Sequence, residues 1–296
     1  MKNAPRIRKM FAELIAGLIP FKMTRNRWRG ILRYGLINAI KLQLRMRNNQ
    51  VSPKYYLTIC AIAKNEGPYF EEWINWHSKL GVEKFYIYDN ESTDNTKQIL
   101  EPYIQSGLVE YIYFPGKRQQ LLAYDDCLEK HRLDANWIAV IDLDEFIVPQ
   151  QHKSIPDFLE KFEDYAAVEI NWLIYGSGGA KNKEEGSVME RFKYHSYPNH
   201  ISNRHVKSIL NPRRVFCFIG CHEVARMKDK IVDSHGDVVR KNFRDREPQQ
   251  DVIRINHYAV KSYEEFLGKR ARGRARTIKT RNLEYFKQYD LNDIKD

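Results

Sequence analysis

The sequence has few cysteines, no long apolar run and almost no acid in its first fifty residues. Four cysteines in 296 residues, without the paired spacing of a zinc site, argue against a disulfide framework and favour a reducing compartment. Residues 10–19 form an apolar stretch of about ten residues that includes Glu13, whereas a helix that crosses a bilayer needs about 20 apolar residues. These shortages predict a cytoplasmic protein without a membrane-spanning segment.

The missing acids leave the N-terminal region strongly basic. Residues 1–50 carry twelve basic residues and one acid, which equals the net charge of +11 of the whole chain, so residues 51–296 are neutral. A nucleic-acid binder usually carries its basic face on the folded domain, so this distribution argues against nucleic acid as a partner.

The basic region is also amphipathic. Apolar residues at positions 28, 32, 36, 40 and 44 predict one helix over Trp28–Arg47, with arginines around it. Basic amphipathic helices lie in the interface of anionic membranes. We therefore predict that residues 1–51 form a membrane-associating arm and that the protein lies peripherally on the cytoplasmic membrane face. The alternative is that the apolar face packs on the domain or on another subunit.

After residue 53 the sequence alternates between strand and helix patterns. Strands are predicted at 55–63, 85–88, 108–114 and 137–141, and helices at 69–80, up to 103 and at 119–133. Repeated strand–helix units predict an α/β fold with a mostly parallel sheet flanked by helices on both faces. Ligands of such sheets bind beyond the carboxyl ends of the strands. We place this domain at residues 52–261 and a basic helical segment at residues 262–296.

Two acids follow the fourth predicted strand. Asp142 and Asp144 are two positions apart, so a strand end presents both on one side. Neighbouring carboxylates repel each other unless a cation is near, and oxygen ligands at such an edge favour Mg²⁺ or Mn²⁺ held together with phosphates. The alternative is a solvated loop. A nucleotidyltransferase would also use such a pair, but the loop after the first strand lacks the glycine- and arginine-rich phosphate site of that class.

Eight segments, in order along roughly residues 55–280, resemble the family 2-like and family 92-like glycosyltransferases of the GT-A fold. They are Ala63–Glu66, Tyr88–Asn95, Asp142–Phe146, Asn171–Ser177, Glu190–Phe192, His205–Pro212, Ile255–Tyr258 and Lys269–Gly273. The third resembles the DxD signature of those enzymes. The resemblance implies a Rossmann-like GT-A sheet and a metal-dependent enzyme. It would move a hexose, galactose or glucose, from a UDP-sugar to a glycan or glycolipid acceptor such as lipopolysaccharide or capsule, with inversion.

The same resemblance implies roles for individual residues. Asp142, Asp144 and His257 are expected to hold Mn²⁺ or Mg²⁺, which neutralises the departing diphosphate. The expected nucleotide-sugar contacts are Asn65, Glu66, Asp89, Asn90, Asp94, Gln120 and Asp126, and the expected donor or acceptor pocket residues are Trp172, Gly176, Ser177 and His222. Structural alternatives are a helix cap for Asp94, a solvated helix position for Asp126 and core positions for Trp172 and His257.

Inversion also requires a base that deprotonates the acceptor hydroxyl. Glu169, Glu190 and Glu223 are the candidates, and Glu190 is preferred because it lies in a matched segment after a glycine-rich loop. The alternative for Glu190 is an ion pair with Arg191 or Lys193. One or two arginines of the basic run at 269–281 are expected to contact the diphosphate. The sequence predicts no oligomeric state.

Overall fold

The computed structural model describes residues 6–273 and 281–296 of the chain. Its helices and strands follow in chain order. They are α1 (Arg6–Gly17), α2 (Lys22–Tyr34), α3 (Leu36–Arg47), β1 (Tyr55–Ala63), α4 (Gly67–Lys79), β2 (Lys84–Asp89), α5 (Thr96–Gln105), β3 (Val109–Tyr113), α6 (Gln120–His131), β4 (Ala135–Val140), β5 (Glu145–Pro149), α7 (Ile155–Leu159), β6 (Ala167–Ile174), α8 (Val188–Arg191), β7 (Tyr194–His195), β8 (Val206–Leu210), β9 (Val215–Gly220), β10 (Glu223–Arg226), β11 (Ile231–Asp233), β12 (Ile253–His257), α9 (Tyr263–Ala271), α10 (Leu283–Tyr289) and β13 (Ile294–Lys295).

A nine-stranded sheet forms the centre of the fold, in the order β3-β2-β1-β4-β8-β6-β12-β5, with β11 beside β6. Strands β1 to β4 pair in parallel, and β8 runs antiparallel to both β4 and β6. This arrangement confirms the predicted α/β fold with a mostly parallel sheet. The predicted strands and helices between residues 55 and 141 are all present, and their ends are shifted by no more than two residues.

The alternation of side chains along β1 produces a core on each face of the sheet. Leu57, Ile59 and Ala61 pack in one buried cluster with apolar residues of α4, whereas Cys60 and Ile62 pack in a second cluster with apolar residues of α6. The uncharged sequence of this strand reflects its burial on both faces. Helices therefore cover both faces, as the sequence predicts.

The register of the strands brings four strand ends to one edge of the sheet. In β12, which runs parallel to β6, His257 lies opposite Glu145 of the antiparallel strand β5. Lys207 lies near the start of β8, where the antiparallel direction brings it to the carboxyl end of β4. The two acids that follow β4 therefore lie beside β8 and β12, which are distant from β4 in the sequence.

The single helix predicted over Trp28–Arg47 is wrong. The helix is interrupted at Gly35, which has a φ of 81°, so that two helices, α2 and α3, form instead of one. The helix α2 packs on the hairpin of β9 and β10: a Cβ atom at Gly30 would lie 2.8 Å from the Ala225 Cβ. The guanidinium of Arg33 donates a 2.8 Å hydrogen bond to the carbonyl oxygen of Phe218 in the same hairpin. Part of the predicted arm is thus a layer of the folded body.

The C-terminal segment also packs on the body. Ser262 and Glu265 form the capping box that starts α9. The last strand, β13, pairs with β7. Residues 274–280 of the basic run lie outside the described residues. The prediction that arginines of this run contact a diphosphate can therefore be followed only for Arg270, Arg272 and Arg281.

Candidate active site

A cavity of about 320 Å³ opens at the carboxyl edge of the sheet. It gathers seven of the residues that the sequence predicted: Glu66, Gln120, Asp142, Asp144, Trp172, His222 and His257. Four cationic side chains, Lys64, Lys269, Arg272 and Arg281, complete its polar wall. Residues from β1, α6, the loop after β4, β6, β12 and α9 thus converge on one site.

Asp142 is held by three donors. Its carboxylate accepts hydrogen bonds from the Lys207 ammonium at 2.8 Å, the Tyr124 hydroxyl at 3.1 Å and the Gln120 amide at 3.2 Å. Burial by itself would raise the pKa of Asp142, but the Lys207 charge more than offsets it, so the pKa lies below its usual value. The same ammonium lies 3.2 Å from Glu145 Oε2. Lys207 therefore stabilises the ionised form of Asp142, whereas burial raises the pKa of Glu145 to about 8 despite the same ammonium.

Lys207 is a residue of the site that the sequence reasoning missed. A signal for it exists, because it is the one charged residue in the otherwise uncharged strand Val206–Leu210. A lysine is almost never buried unless it is paired, so such a lysine predicts an acidic partner. The sequence does not say which acid this is.

Asp144 is held by a cation from the C-terminal segment. The Lys269 ammonium of α9 forms an ion pair with Asp144 Oδ2 and donates a 2.6 Å hydrogen bond to the Ala259 carbonyl oxygen. Burial would raise the pKa of Asp144, but Lys269 and His257 lower it well below its usual value. We call Asp142 and Asp144 the acid pair. Each of its members is neutralised by one lysine.

The donor types of the acid pair and His257 fit a divalent ion. His257 Nε2 lies 3.7 Å from Asp144 Oδ1, too far for a hydrogen bond, and the buried Nδ1 of His257 has no hydrogen-bond partner among the described residues. Carboxylate oxygens with an imidazole suit Mn²⁺ or Mg²⁺. Within the described residues, however, no group of three or more His, Cys, Asp or Glu is close enough to form a complete metal site. A metal ion at Asp144 would have to displace or share the place of Lys269.

A second ion pair lies on the same wall. Arg272 pairs with Glu66 at 2.6 Å, and its guanidinium also donates to the Asn65 carbonyl oxygen at 3.0 Å. The Nε of Arg281 is buried without a hydrogen-bond partner in the described part of the chain, while its Nη1 donates to the Gly273 carbonyl oxygen at 3.1 Å. Arg272 and Arg281 of the basic run thus line the cavity, and their contact with a diphosphate stays a prediction.

Three rings of the cavity lining, those of Trp172, His222 and His257, lie close together. The centroid of the Trp172 ring lies 4.2 Å from the ring centroid of His257, 4.9 Å from that of His205 and 5.3 Å from that of His222. The indole Nε1 of Trp172 is buried and has no hydrogen-bond partner among the described residues. Burial lowers the pKa of His222 to about 3, and its Nδ1 is hydrogen-bonded to the Val206 carbonyl oxygen at 2.7 Å. His222 is therefore a neutral imidazole at neutral pH.

Four predicted nucleotide contacts instead hold loops around the site. Asp89 accepts hydrogen bonds from the Tyr111 hydroxyl and the Ser92 N–H, and Asn90 donates to two carbonyl oxygens of residues 114 and 116. Asp94 accepts hydrogen bonds from the N–H and the hydroxyl of Thr96 at the start of α5 and from the Gly67 N–H at the start of α4, which favours a structural role for this residue. Asn65 bonds across to the loop at residues 92 and 93. None of these four lines the cavity.

Three further predicted residues also lie away from this cavity. Asp126 accepts from the Tyr88 hydroxyl at 2.9 Å and pairs with Lys130 on the surface of α6, so it does not reach the cavity. Gly176 and Ser177 contact the C-terminal residues: a Cβ atom at Gly176 would lie 2.4 Å from Asn292 Oδ1, and Ser177 N–H donates to Asp290 at 2.6 Å. The reason is that the pairing of β7 and β13 directs this loop towards the C-terminus.

None of the three candidate bases lies in the cavity with the acid pair. Glu190 is exposed and lines a separate cavity of about 680 Å³ beside α4 and α8. Its expected partner Arg191 pairs with Glu265 instead. Glu169 pairs with Arg246, and Glu223 pairs with Lys22 of α2. The geometry therefore does not support Glu190 as the base.

The chain matches known proteins over most of its length. The family model for glycosyltransferase family 92 matches residues 55–295. A family 92 protein of Ricinus communis is 25% identical over 215 residues, which cover 71% of this chain and 36% of that protein. A galactan β-1,4-galactosyltransferase of Arabidopsis thaliana is 26% identical over 212 residues, which cover 65% of this chain and 40% of that protein. The chain thus spans less than half the length of these relatives.

Among solved structures, the chain is similar to glucosyl-3-phosphoglycerate synthase from Mycobacterium tuberculosis in complex with Mn²⁺, UDP and glucosyl-3-phosphoglycerate. The identity is 15%, the TM-score is 0.34, and the match covers 69% of this chain and 76% of that chain.

Proposed function

The chain belongs to glycosyltransferase family 92, and we propose that it transfers a hexose from a UDP-sugar to a glycan acceptor. The observation that carries the proposal is the cavity itself. It combines an acid pair, an imidazole and four cationic side chains at the carboxyl edge of a mostly parallel sheet. A nucleoside diphosphate is an anion that such a wall of cations can bind, and the strand ends are where such sheets bind ligands.

We further propose that Asp144 and His257, with Asp142 beside them, hold Mn²⁺ or Mg²⁺. When bound, the ion would neutralise the charge that grows on the departing diphosphate. The chain's own residues prepare this site, because Lys207, Gln120 and Tyr124 orient Asp142 through three hydrogen bonds. Trp172 lines the cavity, and its buried N–H has no hydrogen-bond partner among the described residues.

Galactose is the first hexose to test. The relatives from Arabidopsis thaliana are named galactan β-1,4-galactosyltransferases. A β linkage made from an α-linked UDP-hexose requires inversion at the anomeric carbon, so we propose an inverting reaction. We propose a surface glycan or glycolipid as the acceptor, of the kind found in lipopolysaccharide or capsule, which would place the enzyme in polysaccharide biosynthesis.

A donor screen tests this function. The purified chain is incubated with UDP-galactose, UDP-glucose and their N-acetylated counterparts, with Mn²⁺, Mg²⁺ or a chelator and with a β-1,4-galactan oligosaccharide as the acceptor, and UDP release is measured. We expect release from one UDP-hexose to exceed the others by at least about tenfold, since one unpaired buried polar group in a pocket costs about that much. Equal and metal-independent background with every donor would contradict the proposal.

We also propose that the N-terminal helices attach the protein to an anionic membrane surface. Several large apolar side chains of this region are exposed, among them Leu18 at 83%, Leu14 at 77% and Met10 at 71%. Exposed apolar patches on soluble domains mark interaction sites, and arginines beside them favour anionic lipid. Among the described residues, no helix is long and apolar enough to cross a membrane. Attachment at the surface would bring a lipid-linked acceptor to the enzyme.

Point substitutions test the attachment better than deletion, because removing α2 would expose the hairpin on which it packs. We expect Leu14→Glu and Leu18→Glu each to weaken binding to vesicles of phosphatidylglycerol and phosphatidylcholine by about tenfold, the loss expected for one apolar side chain. Co-sedimentation measures it. Ile201→Glu, at an exposed residue outside the N-terminal helices, is the matched control and is expected to bind as the parent chain does. Equal binding of all variants would contradict this attachment.

A further inference from the structure

The cavity contains two ion pairs that join α9 to the acids of the site. The side chains of Lys269 and Asp144 are only 6% and 9% exposed, and those of Arg272 and Glu66 are 13% and 12% exposed. All four line the cavity, and they lie where the donor diphosphate and its metal ion are proposed to bind. A metal ion and Lys269 therefore compete for the same carboxylate.

Neither partner of such a pair can be removed alone without a penalty. A buried charge that loses its counter-ion is strongly destabilised, because water does not replace the lost partner. If a metal ion takes Asp144, the Lys269 ammonium remains beside the cations of Lys261 and Arg272 and needs another anion. If a diphosphate draws Lys269 away, the Asp144 carboxylate needs another cation. Each ligand thus supplies what the other one leaves unpaired.

We propose that Lys269 is a positioning residue that exchanges partners when the donor binds: it neutralises Asp144 in the free protein and binds the diphosphate once a divalent ion occupies the acid pair. Arg272 and Arg281 complete the diphosphate wall. The exchange makes the metal ion and the nucleotide bind with positive coupling. This inference rests on the proposed function, since it assumes that the cavity accepts a nucleoside diphosphate.

Calorimetry with Mn²⁺ alone, UDP alone and both together measures the coupling. In the parent chain we expect each ligand to bind at least about tenfold more tightly in the presence of the other, within the usual range of coupling between sites. In Lys269→Met, we expect Mn²⁺ alone to bind more tightly than in the parent chain, UDP to bind more weakly, and the coupling factor to fall towards one.

Two further variants serve as the conservative substitution and the control. Lys269→Arg retains the charge and is expected to restore most of the coupling, which a purely structural role of the side chain would not predict. Lys287→Met removes an exposed lysine that pairs with Glu284 on α10 and is expected to behave as the parent chain. Thermal unfolding identifies any variant that does not fold. If Lys269→Met does not fold, the coupling factor of Lys269→Arg is compared with that of the parent chain instead.

The outcomes separate this inference from the proposed function. If the parent chain binds Mn²⁺ and UDP with coupling and Lys269→Met retains the same coupling factor, the exchange is wrong and the proposed function stands. If the parent chain binds no UDP with or without metal, the proposed function fails first. Tighter Mn²⁺ binding together with lost coupling in Lys269→Met supports the exchange.

Discussion

Replacing Asp144 with asparagine is expected to reduce UDP-sugar turnover by about a thousandfold or more. Asp144 lies between His257 and Lys269, and its pKa well below the usual value shows that this site favours a carboxylate anion. The amide keeps the shape but loses the charge that attracts a divalent ion. Loss of Lewis-acid stabilisation amounts to several kcal/mol, or about three orders of magnitude in rate. UDP release with Mn²⁺ measures turnover, and calorimetry measures nucleotide binding.

The matched control is Asp164→Asn. Asp164 is fully exposed, and its ion pair with Arg214 at 3.7 Å lies at the surface, so turnover and stability are expected to remain unchanged. Because Asp144→Asn also removes the partner of a buried lysine, its unfolding temperature is measured in parallel. A folded Asp144→Asn variant that binds UDP with Mn²⁺ as the parent chain does would disprove the role of the acid pair in metal binding.

The second large effect concerns Glu265, which anchors α9 to the body. Its carboxylate accepts two hydrogen bonds from Arg191 at 2.8 and 2.9 Å, one from the Tyr69 hydroxyl at 2.9 Å and one from the Ser262 hydroxyl at 2.7 Å. Glu265→Ala leaves the Arg191 guanidinium without its counter-ion and removes the capping box of α9. We expect the free energy of unfolding to fall by about 3–5 kcal/mol. Because α9 carries Lys269, nucleotide binding is expected to weaken as well.

Glu265 also makes the stability of the protein depend on pH. Burial by itself would raise the pKa of Glu265, but the hydrogen bonds from Arg191 and Ser262 lower it to about 2, compared with an unfolded value of 4.5. A pKa that folding lowers contributes stability above the unfolded value, and this contribution is lost as the pH falls from 4.5 towards 2.

Urea unfolding at several pH values between 7 and 3 measures this contribution. We expect the curve of stability against pH to be flatter for Glu265→Gln than for the parent chain below about pH 5, since the amide does not titrate. Glu284→Ala, at an exposed surface pair, is expected to change the free energy of unfolding by less than about 0.5 kcal/mol. An unchanged pH profile in Glu265→Gln would contradict the assignment.

Local sequence patterns predicted the parallel half of the sheet well. The strand at residues 55–63 has the observed bounds, because a run of β-branched and aromatic residues without charge can only be buried on both faces. The helix over Trp28–Arg47 failed for an equally local reason. Apolar spacing continued through Gly35, but a glycine that adopts positive φ ends a helix whatever the pattern around it.

Acids that follow a parallel strand predicted that the acid pair lies at this edge of the sheet, whereas Glu66 and Gln120 were expected there from the family resemblance. Patterns did not distinguish these residues from Asp89 and Asp94, which are equally polar and lie at and after the end of β2 but form hydrogen bonds within loops. That distinction depends on which way each side chain points after the strand ends.

The sequence by itself determined the α/β class, the family, the neutral body and the basic amphipathic N-terminus. Composition, short periodicities and ordered motifs carry these properties, and none of them requires contacts between distant residues. Only the tertiary structure decided that Lys207 neutralises Asp142 and that Lys269, 125 residues beyond Asp144, neutralises the other acid. Such pairs form because a buried charge must find a counter-ion, and the partner is chosen by strand register and helix packing, which no local pattern records.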